Sequence, residues 1–324
     1  MSILHVANGH ATTGLIEQSG VPGRTQIWAD PLNEGPVPGN VSDDQLLTIR
    51  ARFLASQYDA SDAADDLRRW REAVDDNAGY DELVLWFEHD LFDQLNLIQL
   101  LAHLGRAPRS KPITLICIDR YPGHPDFKGL GELEPRDLAA LFKDRRPVDA
   151  VQIALATRAW SAYRSPDPRA IEELLKSDTS ALPFLAAALA RHLEEFPSDA
   201  DGLSRSERRL MEQAMTGPAD IRAAFPRMHH GETAYYIADS WFVDRARELA
   251  SASPALIDLS ITADQASGLP AGTIALTRAG REVLEGASDR VAVCGIDRWL
   301  GGVHVQGHGR AWRWSARSGH LVEA

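Results

Sequence analysis

Short apolar runs alternate with helix-like periodicities along the first 130 residues. Residues 3–7, 26–29, 83–87 and 113–118 read as strands, and apolar side chains spaced three or four apart between them predict helices. The run 83–87 is apolar on both faces, as in a strand inside a parallel sheet. Because right-handed crossovers through helices cover both sheet faces, the pattern predicts a doubly wound, Rossmann-like α/β domain over residues 1–130. Thr12 or Thr13 is predicted to cap its first helix.

The remaining chain predicts two further parts. Every pattern between residues 135 and 196 is helical, which indicates a helical connector over residues 131–200. A polar break at 197–202 is followed by Ser204 and Glu207, spaced as a capping box. Helices, two short apolar strands and a strand-like tail from residue 290 then predict a small α+β, winged-helix-like domain over residues 201–324.

Composition narrows the class of protein. Hydrophobic content of 44% and a net charge of −12 are typical of a globular enzyme, and the negative charge disfavours binding to nucleic acid or to an anionic membrane. The uncharged apolar stretch 181–190 is too short to cross a bilayer. We therefore expect a cytoplasmic, bacterial-type protein that acts on a small molecule, and a homodimer is compatible with the sequence.

Polar side chains follow each of the four predicted strands. Ligands bind beyond the carboxyl ends of strands in an open parallel sheet, so these positions predict one site. The candidates for catalysis are His10, Asp30, Glu34, Glu88 and His89, and those for substrate binding are Asn8, Gly9, Thr12, Thr13, Asp90, Asp119 and Arg120. Asp90 is equally suited to cap a helix. Glu88 and His89 are the strongest candidates, because charged residues directly after a wholly apolar strand need a reason.

Two chemistries fit this cluster. His10, Glu34, Glu88 and His89 could together hold a divalent metal, although no common metal-ligand spacing is present. Alternatively, His10 or His89 could act as general acid or base, with an acidic neighbour orienting the imidazole. The turn at residues 8–13 could bind phosphate, yet it matches no dinucleotide or P-loop fingerprint. The cofactor is therefore left open.

A second cluster lies in the C-terminal part. Arg298 and His304 flank a tight glycine turn near several tryptophans, and they could complete the first site from across a domain boundary. The same region suits a packed sheet core. The choice between these interpretations depends on tertiary structure.

Five segments carry a resemblance to a known family. Residues 4–10, 30–38, 85–95, 276–281 and 296–304 resemble a bacterial family called domain of unknown function 1835, and residues 86–90 are the most specific piece. That family often carries an acid where this chain has His10, so the resemblance favours Glu34, Glu88 and His89 as site residues. The family brings no established activity, and the resemblance implies membership without implying a reaction.

Two classes of function follow. The first is an enzyme, either a hydrolase or a group transferase, acting on a small phosphorylated or nucleotide-like substrate at the strand ends. The second is a nucleic-acid-binding regulator or a protein adaptor that uses the C-terminal domain. From residue 200 onward the chain has 14 Arg and no Lys against 15 Asp and Glu, which is short of the basic surface expected of a DNA reader.

Overall fold

The structure, a computed structural model, describes residues 2–76, 79–107, 111–262 and 268–323. It divides into two compact units, Met1–Leu189 with Gly301–Val303, and Ala190–Leu300 with His304–Ala324. The three-part division with boundaries at residues 130 and 200 stays a prediction.

The first unit is a mixed α/β structure built on a five-stranded sheet. Its elements are β1 (Ile3–Ala7), α1 (His10–Gln18), β2 (Arg24–Ile27), α2 (Asp43–Tyr58), α3 (Ala63–Asp75), β3 (Glu82–Glu88), α4 (Leu91–Leu104), β4 (Ile113–Ile118), α5 (Pro135–Lys143), β5 (Arg146–Pro147), α6 (Ala150–Tyr163) and α7 (Arg169–Leu175), with a 3-10 turn at Leu130–Glu132. The strand order is β2-β1-β3-β4-β5. Strands β1 to β4 are parallel and β5 is antiparallel to β4.

Apolar packing covers the sheet. Alternate side chains of the strands, such as Ala7, Val84 and Trp86, form a buried cluster with Ile16 of α1 and Leu138 of α5. Helix α4 is buried along most of its length and packs against α6. Since β3 lies between β1 and β4, its residues are buried throughout, as the apolar run predicted.

The second unit consists of helices and small antiparallel sheets. After α8 (Leu185–Leu193), which contains the unit boundary, its elements are α9 (Arg205–Glu212), β6 (Ala219–Asp220), α10 (Ile221–Met228), α11 (Asp239–Ser251), β7 (Ile257–Thr262), β8 (Ala271–Leu276), α12 (Arg278–Leu284), α13 (Arg290–Cys294), β9 (Ile296–Leu300), β10 (Val303–Gly307), β11 (Trp312–Ser315) and β12 (His320–Glu323). The three sheets have the orders β6-β8-β7, β10-β9 and β11-β12. Ser204 and Glu207 form the predicted capping box at α9.

Several local predictions were wrong. Neither Thr12 nor Thr13 caps α1, because the helix begins at His10 and both hydroxyls lie inside it. The second strand lies two residues earlier than its apolar run. Residues 290–294 are helical instead of extended, with Asp289 as the N-cap of that helix. The wholly helical pattern of residues 135–196 is interrupted by the short strand β5, whose register pairs Pro147 with Thr114.

Candidate functional site

The carboxyl ends of β1 and β3 bring together a cluster of polar side chains. Because Ala7 pairs in register with Trp86, Asn8 and Glu88 lie at the same sheet edge. Helix α4 begins there and places Asp93 beside both residues. Asn8 Nδ2 donates to Asp93 Oδ2 at 2.9 Å, and Thr12 Oγ1 donates to Asn8 Oδ1 at 2.8 Å. The Asn8 amide is therefore oriented from both of its ends.

Glu88 and Asp93 form a buried carboxyl pair. Glu88 hydrogen-bonds Asp93, and its Oε1 accepts from the Leu130 backbone N–H at 2.5 Å. Burial raises the pKa of Glu88, and burial together with the Glu88 and Asp90 charges raises the pKa of Asp93 well above its ordinary value. Since two carboxylate oxygens are both acceptors, their hydrogen bond requires a proton. The pair therefore retains a proton at pH values where isolated carboxyl groups are ionised.

The Asp93 oxygens support this protonation. In the described part of the chain, no N–H or hydroxyl group donates to Asp93 Oδ1, although the atom is buried. Protonation of Asp93 removes the negative charge that this oxygen would otherwise share. A full carboxylate without such a donor would carry a large desolvation cost at this depth.

Backbone closely approaches Glu88 on its other side. A Cβ atom added at Gly129 would overlap Glu88 Oε2, so any other residue there would require the Glu88 carboxyl group to shift. This approach allows the next residue, Leu130, to donate its N–H to the carboxyl group. The segment after β4 thus completes the surroundings of Glu88.

His89 and Asp90 lie beside the pair with different partners. Burial lowers the pKa of His89, with the Asp119 charge opposing the shift, and the ring packs near Phe127 and Phe184. His89 is therefore neutral at physiological pH. Asp90 Oδ1 accepts from the Asp93 backbone N–H at 3.0 Å, so it is the N-cap of α4, as its alternative interpretation predicted.

Asp30 and Glu34 belong to a separate arrangement around Arg50. Asp30 is buried and binds the Arg50 guanidinium through both oxygens, with the shortest distance 2.7 Å. Arg50 also donates to the backbone carbonyls of Pro31 and Glu34. This ion pair holds the loop after β2 against α2. The catalytic roles predicted for Asp30 and Glu34 stay predictions.

The other strand-end candidates lie apart from the carboxyl pair. His10 is exposed and, with Thr13, lines an open cavity between α1, β2 and α3 that does not include Asn8 or Glu88. Gly9 precedes α1 as its N-cap residue. Asp119 and Arg120 form an exposed ion pair with each other. The structure thus assembles Asn8, Thr12 and Glu88 and separates His10 and Thr13 from them.

Arg298 and His304 have partners within the second unit. Arg298 binds Glu207 at 2.6 Å and Glu248 at 2.9 Å, and these carboxylates raise its pKa against the opposing effect of burial. His304 Nε2 lies 2.6 Å from Asp297 Oδ1, and its ring stacks on Trp299 at 4.6 Å. Both side chains are engaged in structural contacts of that unit.

The sequence interpretation did not include Asp93 and Gly129 among the site residues. A usable signal was present for Asp93, because Asp93, Gln94 and Asn96 lie among the apolar side chains in the first half of a helix that is buried along most of its length. Polar side chains on a buried helix require partners, and those of Asp93 come from β1 and β3. Gly129 offered no comparable signal, since its importance comes from a carboxyl group 41 residues away in the sequence.

Comparisons with known proteins add no assignment. No protein-family model matches the chain, and no curated protein matches it significantly. The described residues contain no group of three or more His, Cys, Asp or Glu arranged to hold a metal ion. Among the helices of the described ranges, none combines the length and the apolar character that crossing a bilayer requires. The family resemblance stays a prediction.

Proposed function

We propose that the first unit is an enzyme, a hydrolase or group transferase, acting on a small phosphorylated or nucleotide-like substrate. The observation that carries this proposal is the buried contact between the Glu88 and Asp93 carboxyl groups at the carboxyl ends of β1 and β3, where burial raises the pKa of both groups. A carboxyl group with a raised pKa can give up and take back a proton near neutral pH, which is what general acid–base catalysis requires.

The pair offers a division of roles. Glu88, the less buried member, exchanges the proton with substrate. Asp93 and Asn8 are positioning residues, because Asp93 is more deeply buried than Glu88 and the Asn8 amide donates to Asp93. His89 contributes a neutral imidazole at the same edge.

The start of α1 supports the phosphate part of the proposal. Helix α1 has no side-chain cap and no acidic residue in its first turn. Its first backbone N–H groups therefore carry partial positive charge that no side chain of the helix's own first turn neutralises, as suits a phosphate group. Asn8, which hydrogen-bonds Asp93, immediately precedes this turn and links the two features.

Turnover of phosphate esters tests the proposal. A panel of nucleoside phosphates and sugar phosphates is incubated with the protein, and substrate loss and phosphate release are measured. We expect Glu88→Gln to lower turnover by about 10²- to 10⁴-fold, and the exposed Glu285→Gln in the second unit to have no effect. Equal turnover by the two variants, or no turnover of any compound, contradicts the proposal.

A second candidate function belongs to the second unit. We propose that the second unit acts as a regulator or adaptor. A winged-helix-like arrangement is supported by its element order, α9, β6, α10, α11, β7, β8, and by the sheet order β6-β8-β7. The exposed side of α11 carries Asp239, Ser240 and Arg247, a poor match to phosphate backbones. This favours a protein partner. If the protein instead binds a short DNA duplex at low salt and Arg247→Ala loses this binding, the second unit is a nucleic-acid-binding regulator.

A further inference from the structure

A second cavity lies in the first unit, between helices α2, α3, α4 and α6. It is a small cleft of about 70 Å³ with an open mouth. Its lining includes none of the carboxyl-pair residues. The apolar part of the wall consists of Trp28, Leu46, Leu47, Leu67, Trp70 and Trp160.

Three tryptophans give this cavity its chemical character. Trp28 and Trp160 are buried in the unit, whereas Trp70 on α3 is only half-buried. The large faces of indole rings bind planar aromatic ligands by stacking. A partly exposed indole beside two buried ones is the arrangement expected where a flat ligand enters.

A polar group inside the cavity supplies hydrogen bonds. The Trp28 indole N–H donates to Gln99 Oε1 at 2.9 Å, which fixes the orientation of the Gln99 amide. Within the described part of the chain, no acceptor takes a hydrogen bond from the Gln99 amide nitrogen. Its two N–H groups therefore suit the acceptor atoms of a heterocycle or a carboxylate.

Two arginines on the lining favour an anion. Arg71 pairs with Asp44, whose side chain is 89% exposed, and Arg106 pairs with Asp43 while itself half-exposed. Each pair has one member that is about half-exposed or more, and ion pairs at the surface contribute little stability, so either guanidinium can exchange its aspartate for an anionic ligand group at small cost. Arg50, in contrast, is fully engaged with Asp30 and the loop carbonyls.

We propose that this cavity is a binding site for a planar aromatic molecule carrying an anionic group, such as a nucleoside monophosphate or an aromatic carboxylate. The ring stacks against Trp70, and the anionic group pairs with Arg71. The site is separate from the proposed catalytic pair, and its occupation does not depend on turnover there.

Calorimetric titration of the full-length protein tests this site with four probes. AMP and 2-naphthoate each have a ring and an anionic group, whereas adenosine lacks the anion and inorganic phosphate lacks the ring. We expect AMP or 2-naphthoate to bind at least tenfold more tightly than both incomplete probes. Binding of AMP alone identifies a nucleotide ligand, and binding of 2-naphthoate identifies a broader aromatic acid site.

Matched variants locate the binding. Trp70→Leu and Arg71→Ala should each weaken binding of the aromatic acid by about tenfold, the usual effect of losing one stacking or ionic partner. Arg68→Ala on the same helix, where Arg68 pairs with Asp65 in solvent, is the control for charge. Trp299→Leu in the second unit is the control for tryptophan loss.

Four results overturn the proposal. The first is no binding of either aromatic acid at millimolar concentration, and the second is equal binding of adenosine. The third is unchanged affinity in Arg71→Ala, which keeps the test decisive even if Trp70→Leu fails to fold. Loss of AMP binding in Glu88→Gln with normal binding in Arg71→Ala would assign the nucleotide to the carboxyl pair and also reject this cavity.

Discussion

The indole N–H of Trp86 donates a hydrogen bond to His5 Nδ1 across adjacent strands, at 3.1 Å. His5 Nε2 lies 3.2 Å from the Pro22 carbonyl, so the neutral tautomer with hydrogen on Nε2 satisfies both contacts. Burial lowers the pKa of His5 below 6.5. The ring is therefore a neutral structural link between β1, β3 and the turn before β2.

Acid should destabilise the fold through His5. Because the His5 pKa is lower in the folded state, the unfolded chain binds more protons than the folded chain below about pH 6.5. The free energy of unfolding therefore decreases as the pH is lowered from about 6.5 to the folded-state pKa of His5. When the free energy of unfolding is measured with urea between pH 5 and 8, it should change less with pH in His5→Gln than in the native chain. The exposed His320→Gln is the control, and an unchanged slope in His5→Gln would disprove the link.

The carboxyl pair should have the opposite pH dependence. Since the pKa values of Glu88 and Asp93 are raised on folding, their contribution favours the folded state at low pH and diminishes as pH rises above the ordinary carboxyl range. Asp93→Asn removes one of the two acids. The difference in free energy of unfolding between Asp93→Asn and the native chain should therefore be more favourable to the variant at pH 8 than at pH 4. Urea midpoints at the two pH values provide the measurement.

Infrared spectroscopy checks the same pair directly. A protonated carboxyl C=O stretch should be visible at neutral pH in the native chain and absent from Asp93→Asn. If the band is missing from the native protein, both groups are ionised and the shared proton is disproved.

Arg50 should be essential to the loop after β2. The Asp30–Arg50 pair is almost wholly buried, so Arg50→Ala leaves a buried carboxylate without its partner and should lower the free energy of unfolding by about 3–5 kcal/mol. The exposed Arg69→Ala should cost less than about 1 kcal/mol. Urea unfolding measures the loss of stability in both variants. The double variant Asp30→Ala/Arg50→Ala should lose less free energy of unfolding than the sum of the losses in the two single variants.

A side chain at Gly129 should destabilise the fold. The Cβ of Gly129→Ala would overlap Glu88, so either the Leu130 hydrogen bond or the carboxyl pair must shift, at a cost of about 1–3 kcal/mol. Gly309, where an added Cβ meets nothing within 4 Å, provides the matched alanine control. Equal thermal stability of the two variants would show that the approach to Glu88 is not close.

The sequence by itself determined the elements whose signals are local. The apolar run of β3, the Asp90 cap of α4 and the capping box at Ser204 depend on neighbouring residues, and all were predictable from spacing. Local signals also misled where two of them competed. Thr12 and Thr13 are good capping residues, yet Thr12 hydrogen-bonds Asn8 from inside the helix instead.

Only the tertiary structure decided which strand-end residues meet. Placing β1 between β2 and β3 brings Asn8 beside Asp93, 85 positions later in the chain, while His10 faces a different cavity. The pKa values of Glu88 and Asp93 depend on burial and on charges and N–H groups from separate elements. Spacing along the chain does not contain that information, because a carboxyl group acquires its chemistry from the neighbours that folding gives it.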